Sequence, residues 1–479
     1  MRFRRKNLVL ATLVLLAADV ATTRAAGAGD AQQAAMQEIL DVLRQNRQIS
    51  DEQHRTLSRK VREAGEADRA TARANAATVE KVERTEVVEV VEEKKPSPDT
   101  LYARWKDGPR LETADKQFRF ALIGRLQNDW AIVDSSRALS DELGIDEFQS
   151  GTEFRRARIG FEAELYRDFG FKFEVDVASG DVAFKDVYFA VRNVPLVQNL
   201  RIGHFKEPFS LEQLTSSVNI TFMERSLADV FAPERNTGIG IHPTYFDERL
   251  TWAVGAFRET DDTGFGFGDE QNYDIATRIT GLPWYADDGA QLVHLGFSYA
   301  HSFRNDAELR FRQRPESHLA ARFVDTGDFL ANDLDRINPE LAIVLGPASL
   351  QAEYMRVFVD APASGDPAFD GWYAYVSYFL TGERRAYKKS SGAFDRVRPK
   401  RNFGFGPDAG WGAFEVGARY SKIELDSGDV RGGNLGDTTV GLNWYLNPNM
   451  RVMANYVYSA RTDGAGSANI YQARFQVAW

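Results

Sequence analysis

From about residue 110 to the last residue, apolar and polar positions alternate with a period of two. Phe118, Phe120, Leu122 and Leu126 alternate with Gln117, Arg119, Arg125 and Gln127. Ala157, Ile159, Phe161, Ala163 and Leu165 alternate with Arg156, Arg158, Glu162 and Glu164. Phe171, Phe173, Val175 and Val177 alternate with Lys172, Glu174 and Asp176. Successive strand residues face opposite sides, so each stretch predicts a β-strand with one apolar and one charged face. Such faces suit a strand with lipid on one side and a water-filled lumen on the other. Strands are predicted near 117–127, 153–166, 170–178, 183–192, 197–204, 237–242, 249–257 and 271–280, then near 290–302, 338–345, 349–358, 370–380, 411–421, 436–446, 450–458 and 469–479. That makes sixteen, an even number, which puts both ends of a closed antiparallel barrel on the periplasmic side. Arg167–Phe169, Asn193–Leu196, Gly346–Ala348 and Asn447–Asn449 read as short periplasmic turns, and the segments after 127, 257, 302, 358 and 421 as longer external loops.

Ahead of the barrel the pattern differs. Residues 1–26 read as an export signal: Arg2, Arg4, Arg5 and Lys6 precede a short apolar run from Leu8 to Ala18, and small residues follow. In the segment 27–95, Leu40, Leu43, Leu57, Val61 and Ala64 sit at coiled-coil-like spacing, but the same register continues through Asp68, Thr71 and Asn75. A periplasmic helix is expected, either a short trimerising coiled coil or a partly helical tether, and 96–114 is expected to be a linker containing Pro96 and Pro98. The barrel itself is expected over 115–479.

Composition narrows the classes. Mean hydropathy is -0.40, and no apolar stretch long enough for a membrane helix follows residue 30. There is no cysteine, hence no disulfide scaffold and no thiolate metal site. The formal charge of -10, more negative still without the basic leader, argues against a nucleic-acid partner. A barrel enzyme needs a nucleophile, a base and an orienting acid in reach. The six histidines (His54, His204, His242, His294, His301 and His318) form no such set, because His301 and its neighbour Ser302 face opposite sides. Gly264 to Gly268 alternates glycine with phenylalanine but precedes no helix, so it reads as a loop. No bond chemistry, metal or organic cofactor is called for.

The last strand, with Tyr471, Ala473, Phe475, Val477 and Trp479 on one face, is similar to the assembly signal of outer-membrane barrels. An ordered set of motifs goes further. Phe154-Arg155-Arg156-Ala157-Arg158, Gly203-His204-Phe205-Lys206-Glu207-Pro208-Phe209, Thr215-Ser216-Ser217 and Phe222-Met223-Glu224-Arg225 resemble the phosphate-selective porin O and P family, as do Leu380-Thr381-Gly382-Glu383 and Gly441-Leu442-Asn443-Trp444-Tyr445. The resemblance covers about 115–479. It implies a sixteen-stranded, usually trimeric barrel whose long third loop folds into the pore, with arginines on the wall and lysines in the loop.

By alternation or by that match, the candidate pore-lining residues are Arg119, Arg125, Arg155, Arg156, Arg158, Arg201, Lys206, Arg225, Arg278, Arg384, Arg385 and Arg419. The third-loop segment 205–236 departs from the family pattern. Lys206, Arg225 and Arg235 face five acids (Glu207, Glu212, Glu224, Asp229 and Glu234), and Gln213 and Val218 stand where lysines are expected. A net charge of -2 at a constriction would repel phosphate. Residues 381–410 are strongly basic and read either as a solvated periplasmic run or as a plug at the pore exit. The expected function is passive diffusion of small hydrophilic solutes, anions such as phosphate or polyphosphate foremost. The alternatives are a weakly selective porin, or a structural barrel tied to peptidoglycan through 27–95. Expected partners are outer-membrane lipid, small anions and two further copies of the chain.

Overall fold

The computed structural model describes residues 33–45, 49–86, 97–145, 150–267, 272–407 and 409–479. The export signal expected over 1–26 lies outside them. The chain forms two compact units, divided at Lys95.

In the first unit, helix α1 (33–45) is followed by α2 (Asp51–Glu86). Ser50 and Gln53 cap the start of α2 reciprocally, each side chain accepting from the other's backbone N–H at 3.2 and 2.9 Å. The chain therefore doubles back. Gln37 donates to Ser58 (2.8 Å), and His54 bonds Asp41 (2.7 Å). Leu40 is buried in this unit, whereas Leu57 of the coiled-coil-like spacing is exposed.

The second unit is the barrel. Its strands are β1 (Phe118–Ser135), β2 (Gly151–Leu165), β3 (Phe169–Asp176), β4 (Ala183–Val194), β5 (Gln198–Lys206), β6 (Arg235–Ile241), β7 (Leu250–Arg258) and β8 (Tyr273–Ala286), then β9 (Gln291–Leu309), β10 (Phe329–Leu345), β11 (Ala348–Asp360), β12 (Ala368–Phe379), β13 (Ala413–Ser427), β14 (Val430–Asn447), β15 (Met450–Arg461) and β16 (Gly466–Ala478). Each pairs antiparallel with the next, and β16 closes on β1 from Ala478↔Arg125 to Ala468↔Ser135. Closure leaves no unpaired edge in the membrane, where an unsatisfied backbone group costs several kcal/mol. The alternation is inverted relative to a soluble protein. On β1, Phe118, Phe120, Leu122, Leu126, Trp130 and Ile132 point outward and are exposed, whereas Gln127 and Asp129 are buried inside.

Two expectations need correction. The segment 96–114 is no plain linker: Leu101–Trp105 and Pro109–Thr113 form a hairpin whose second strand pairs with β1 at Arg119–Ala121. It continues the wall beyond the point where Trp479 bonds Gly124. The segment after 421 is not a long loop either. β13 and β14 run on to a two-residue turn at 428–429, because strand pairing persists above the lipid after the demand for an apolar face has ended.

Three connections fold inward: the third loop (207–234), the fifth loop (310–328) and the periplasmic connection 380–412. Leu227 and Phe231 of the third loop pack with Phe311, Ala320 and Phe323 of the fifth. Phe394, from a short hairpin in the periplasmic connection, packs with Leu211 of the third loop and with Leu292 and Ala342 of the wall.

Candidate functional site: a basic cavity in the lumen

Wall arginines fasten the third loop through its acids. A bulge on β2 starts the arrangement: Gln127 pairs with Arg156 and Asn128 with Phe154, so Arg155 is the extra residue. A bulge re-aims side chains, and here two successive arginines reach the same loop. The Arg155 guanidinium donates twice to Glu224 (3.0 and 3.1 Å), Arg474 donates to it at 2.6 Å, and Arg156 stands 3.8 Å away. Burial alone would raise the Glu224 carboxyl, yet these three guanidiniums hold it well below the usual carboxylate range. Arg474 is fully buried and also grips Asp129 by a fork of 2.7 and 2.6 Å. Arg419 joins Glu212 (3.1 Å) to Glu316 of the fifth loop (2.5 Å). The Glu353 carboxylate accepts the backbone N–H groups of Leu211 and Glu212 (3.0 and 2.7 Å). Arg451 donates to the Ile220 carbonyl (2.9 Å).

The acidic loop therefore does not make an acidic lumen. Glu212 and Glu224 are spent on the wall, and Glu207 is buried against Asn236 (2.8 Å). Asp229 lies 3.7 Å from Arg225, and burial pushes its carboxyl up to about 7. Only Glu234 is exposed, and it borders a separate pocket.

What remains open is a cavity of about 400 Å³ between the third loop, the inserted hairpin and the wall of β1 to β8. Ten bases line it: Arg125, Arg156, Arg158, Lys172, Arg201, Lys206, Arg225, Arg235, Arg278 and Lys388. The acids are three, Glu162, Asp186 and Asp395. Such an excess of one sign in a low-dielectric enclosure concentrates ions of the opposite sign. Many of the bases are held in place. Arg125 pairs with Glu174 (3.0 Å), Arg158 with Asp176 (2.7 Å), and Arg235 and Lys172 share Asp186 (2.8 and 3.1 Å).

Of the twelve candidates, Arg125, Arg156, Arg158, Arg201, Lys206, Arg225 and Arg278 line this cavity, and five do not. Arg119 sits at the periplasmic rim, bound to Glu112 of the N-terminal hairpin and to Glu164 (3.1 and 3.0 Å). Arg155 and Arg419 are consumed by the third loop. Arg384 points out to Asp288 (3.5 Å), and Arg385 is buried over the Phe394 ring, 3.5 Å from its centroid. Of the basic 381–410 run, Lys388 alone contributes a lining base. Arg278 holds that hairpin inside by donating to the Gly392 carbonyl (2.8 Å) while forked to Glu340 (2.9 and 2.7 Å). Lys172 was missing from the candidates although it shares the inward parity of Glu174 and Asp176; its alternation with Phe171 and Phe173 was the available signal.

A closed barrel with a lipid-facing apolar belt, loops packed inside and a charged cavity defines a porin, a channel of the outer membrane. The chain belongs to the phosphate-selective porin O and P family, whose model matches residues 120–479. It is 28% identical over 402 residues to Porin O of Pseudomonas aeruginosa, covering 76% of this chain and 87% of that one. An uncharacterized protein of Caulobacter vibrioides is 30% identical over 378 residues, with 76% and 72% covered. Among solved structures, an anion-selective porin from Comamonas acidovorans superposes with a TM-score of 0.48 at 14% identity, over 76% of this chain and all of that one.

Proposed function

We propose that the barrel conducts small anions by passive diffusion, with phosphate and related oxyanions as its leading solutes, and that the seven lining candidates with Lys172, Arg235 and Lys388 supply the attraction. The observation that carries this is the division of labour among charges. Glu212 and Glu224 of the third loop are bound to wall arginines, so this cavity keeps ten lining bases against three acids. Guanidinium forks and ammonium groups suit phosphate oxygens. Reconstituted in a planar bilayer carrying chloride current, the protein should lose current on addition of millimolar phosphate. Current unchanged by phosphate would reduce it to a general porin. Export through cleavage within 1–26 and assembly as a homotrimer belong to the same proposal. The family resemblance supports the trimer, as do the exposed apolar residues Met36, Ile39 and Val42 on α1. The helical unit would then stand in the periplasm, where it could also touch peptidoglycan.

A further inference from the structure

We infer that the cavity holds a subsite for oxyanions carrying an aromatic ring, at Arg201 and Tyr188, and that it prefers them to bare phosphate. The inference rests on the anion-channel proposal and narrows its solute class. Among the described residues, Arg201 and Lys388 are the two lining bases whose side chains have neither a carboxylate within 4 Å nor a hydrogen-bond acceptor; Lys206 donates to the Gln213 carbonyl, and the other seven lie within 4 Å of a carboxylate. They are the charges left for a solute.

The Arg201 guanidinium lies 5.1 Å over the Tyr188 ring. Tyr188 meets Phe205 edge-on at 5.8 Å, and Phe205 meets Phe257 at 5.2 Å and the His242 imidazole at 6.2 Å. The His242 Nε2 has no hydrogen-bond partner although buried. Gly240, opposite Arg201 in the β5–β6 register, keeps this corner clear: a Cβ there would stand 3.3 Å from the His242 Nε2 and 3.4 Å from the Phe205 ring. The inserted segments contribute Pro208, Leu214 and Phe394 to the lining of the same cavity.

The free cation therefore sits on an aromatic wall, in a cavity that also has apolar lining. A naked phosphate needs donors around all its oxygens and gains nothing from rings. A solute whose oxyanion takes the Arg201 fork and whose ring stacks along Tyr188 uses both halves of the corner.

Phenyl phosphate and inorganic phosphate carry the same headgroup and serve as the probe pair. Both are titrated against chloride current through the full-length protein in planar bilayers. The subsite predicts that phenyl phosphate blocks at about tenfold lower concentration, the size of one good ring contact. Tyr188→Ser, and independently Leu214→Ser should the first not fold, should shrink that preference to within about twofold while leaving block by inorganic phosphate in place. Equal block by the two probes in the unaltered protein, or a preference that survives both substitutions, would overturn the aromatic subsite and leave an anion channel standing. A cation-side reversal potential would overturn the anion-channel proposal and the subsite together.

Discussion

The arginines of the lumen divide into those that meet the solute and those that hold the third loop, and a pair of charge-removing substitutions separates the groups. Arg201 lines the cavity with no carboxylate within 4 Å, whereas Arg474 is fully buried and forked onto Asp129 and Glu224. A unit charge about 6 Å from a permeant ion is worth about 0.7 kcal/mol in water-like surroundings and about 3 kcal/mol at an effective dielectric of about 20. Arg201→Gln should therefore lower the chloride-to-potassium permeability ratio at least about threefold, with barrel stability nearly unchanged. Arg474→Gln leaves the buried Asp129 carboxylate without its cation, a loss of about 3–5 kcal/mol, and takes one of three guanidiniums from Glu224. It should lower the urea midpoint of the reconstituted barrel and raise open-channel noise, while shifting the reversal potential less than Arg201→Gln does. Bilayer reversal potentials and urea titration in lipid vesicles read the two effects independently. If Arg474→Gln changed selectivity as much as Arg201→Gln and left stability alone, the division into anchoring and solute-facing arginines would be wrong.

Glu224→Gln removes the acid that joins Arg155, Arg156 and Arg474, and should loosen the third loop by about 3–5 kcal/mol, seen as new protease cleavage near residue 224. Asp107→Ala breaks the pair with Arg398 (2.6 Å), in which Arg398 is half exposed, and should cost less than about 1 kcal/mol in the same urea titration. The Asp229 carboxyl, raised by burial to about 7, makes the loop pH-sensitive. An acid with a raised folded value binds its proton more tightly folded than unfolded, so the contribution of Asp229 to stability is full below about pH 4 and falls as pH rises toward 7. Asp229→Asn should abolish that fall, and a fall of unchanged slope in hydrogen-exchange protection of 227–231 would show the proton to be elsewhere.

The strands were legible because lipid imposes the alternation: Phe118 to Leu126 and Ala157 to Leu165 each show an apolar face that only membrane strands must keep. Where lipid ends, so does the signal. The upper parts of β9, β10, β13 and β14 pair without alternating cleanly, which is why 303–309, 329–337 and 422–435 passed for loop. The N-terminal hairpin is five residues a side; Leu101, Ala103, Trp105 and Leu111 do share one face, but each run is too short to stand out beside the strands of the wall. The larger error concerned charge. The third loop was counted as acidic, but what decides its effect is where each acid points. Glu224 finds Arg474 across 250 residues and Glu212 finds Arg419 across 207, partnerships that no local pattern encodes. Arg155 adjoins Arg156 in the sequence, and a bulge, which no local pattern encodes, brings both to the loop.

The most direct test of the account is the reversal potential of the reconstituted protein under a potassium chloride gradient. Ten lining bases against three acids predict a potential on the chloride side. A potential on the potassium side would contradict the account, and a barrel that passes no current at all would leave it an anchor and not a channel.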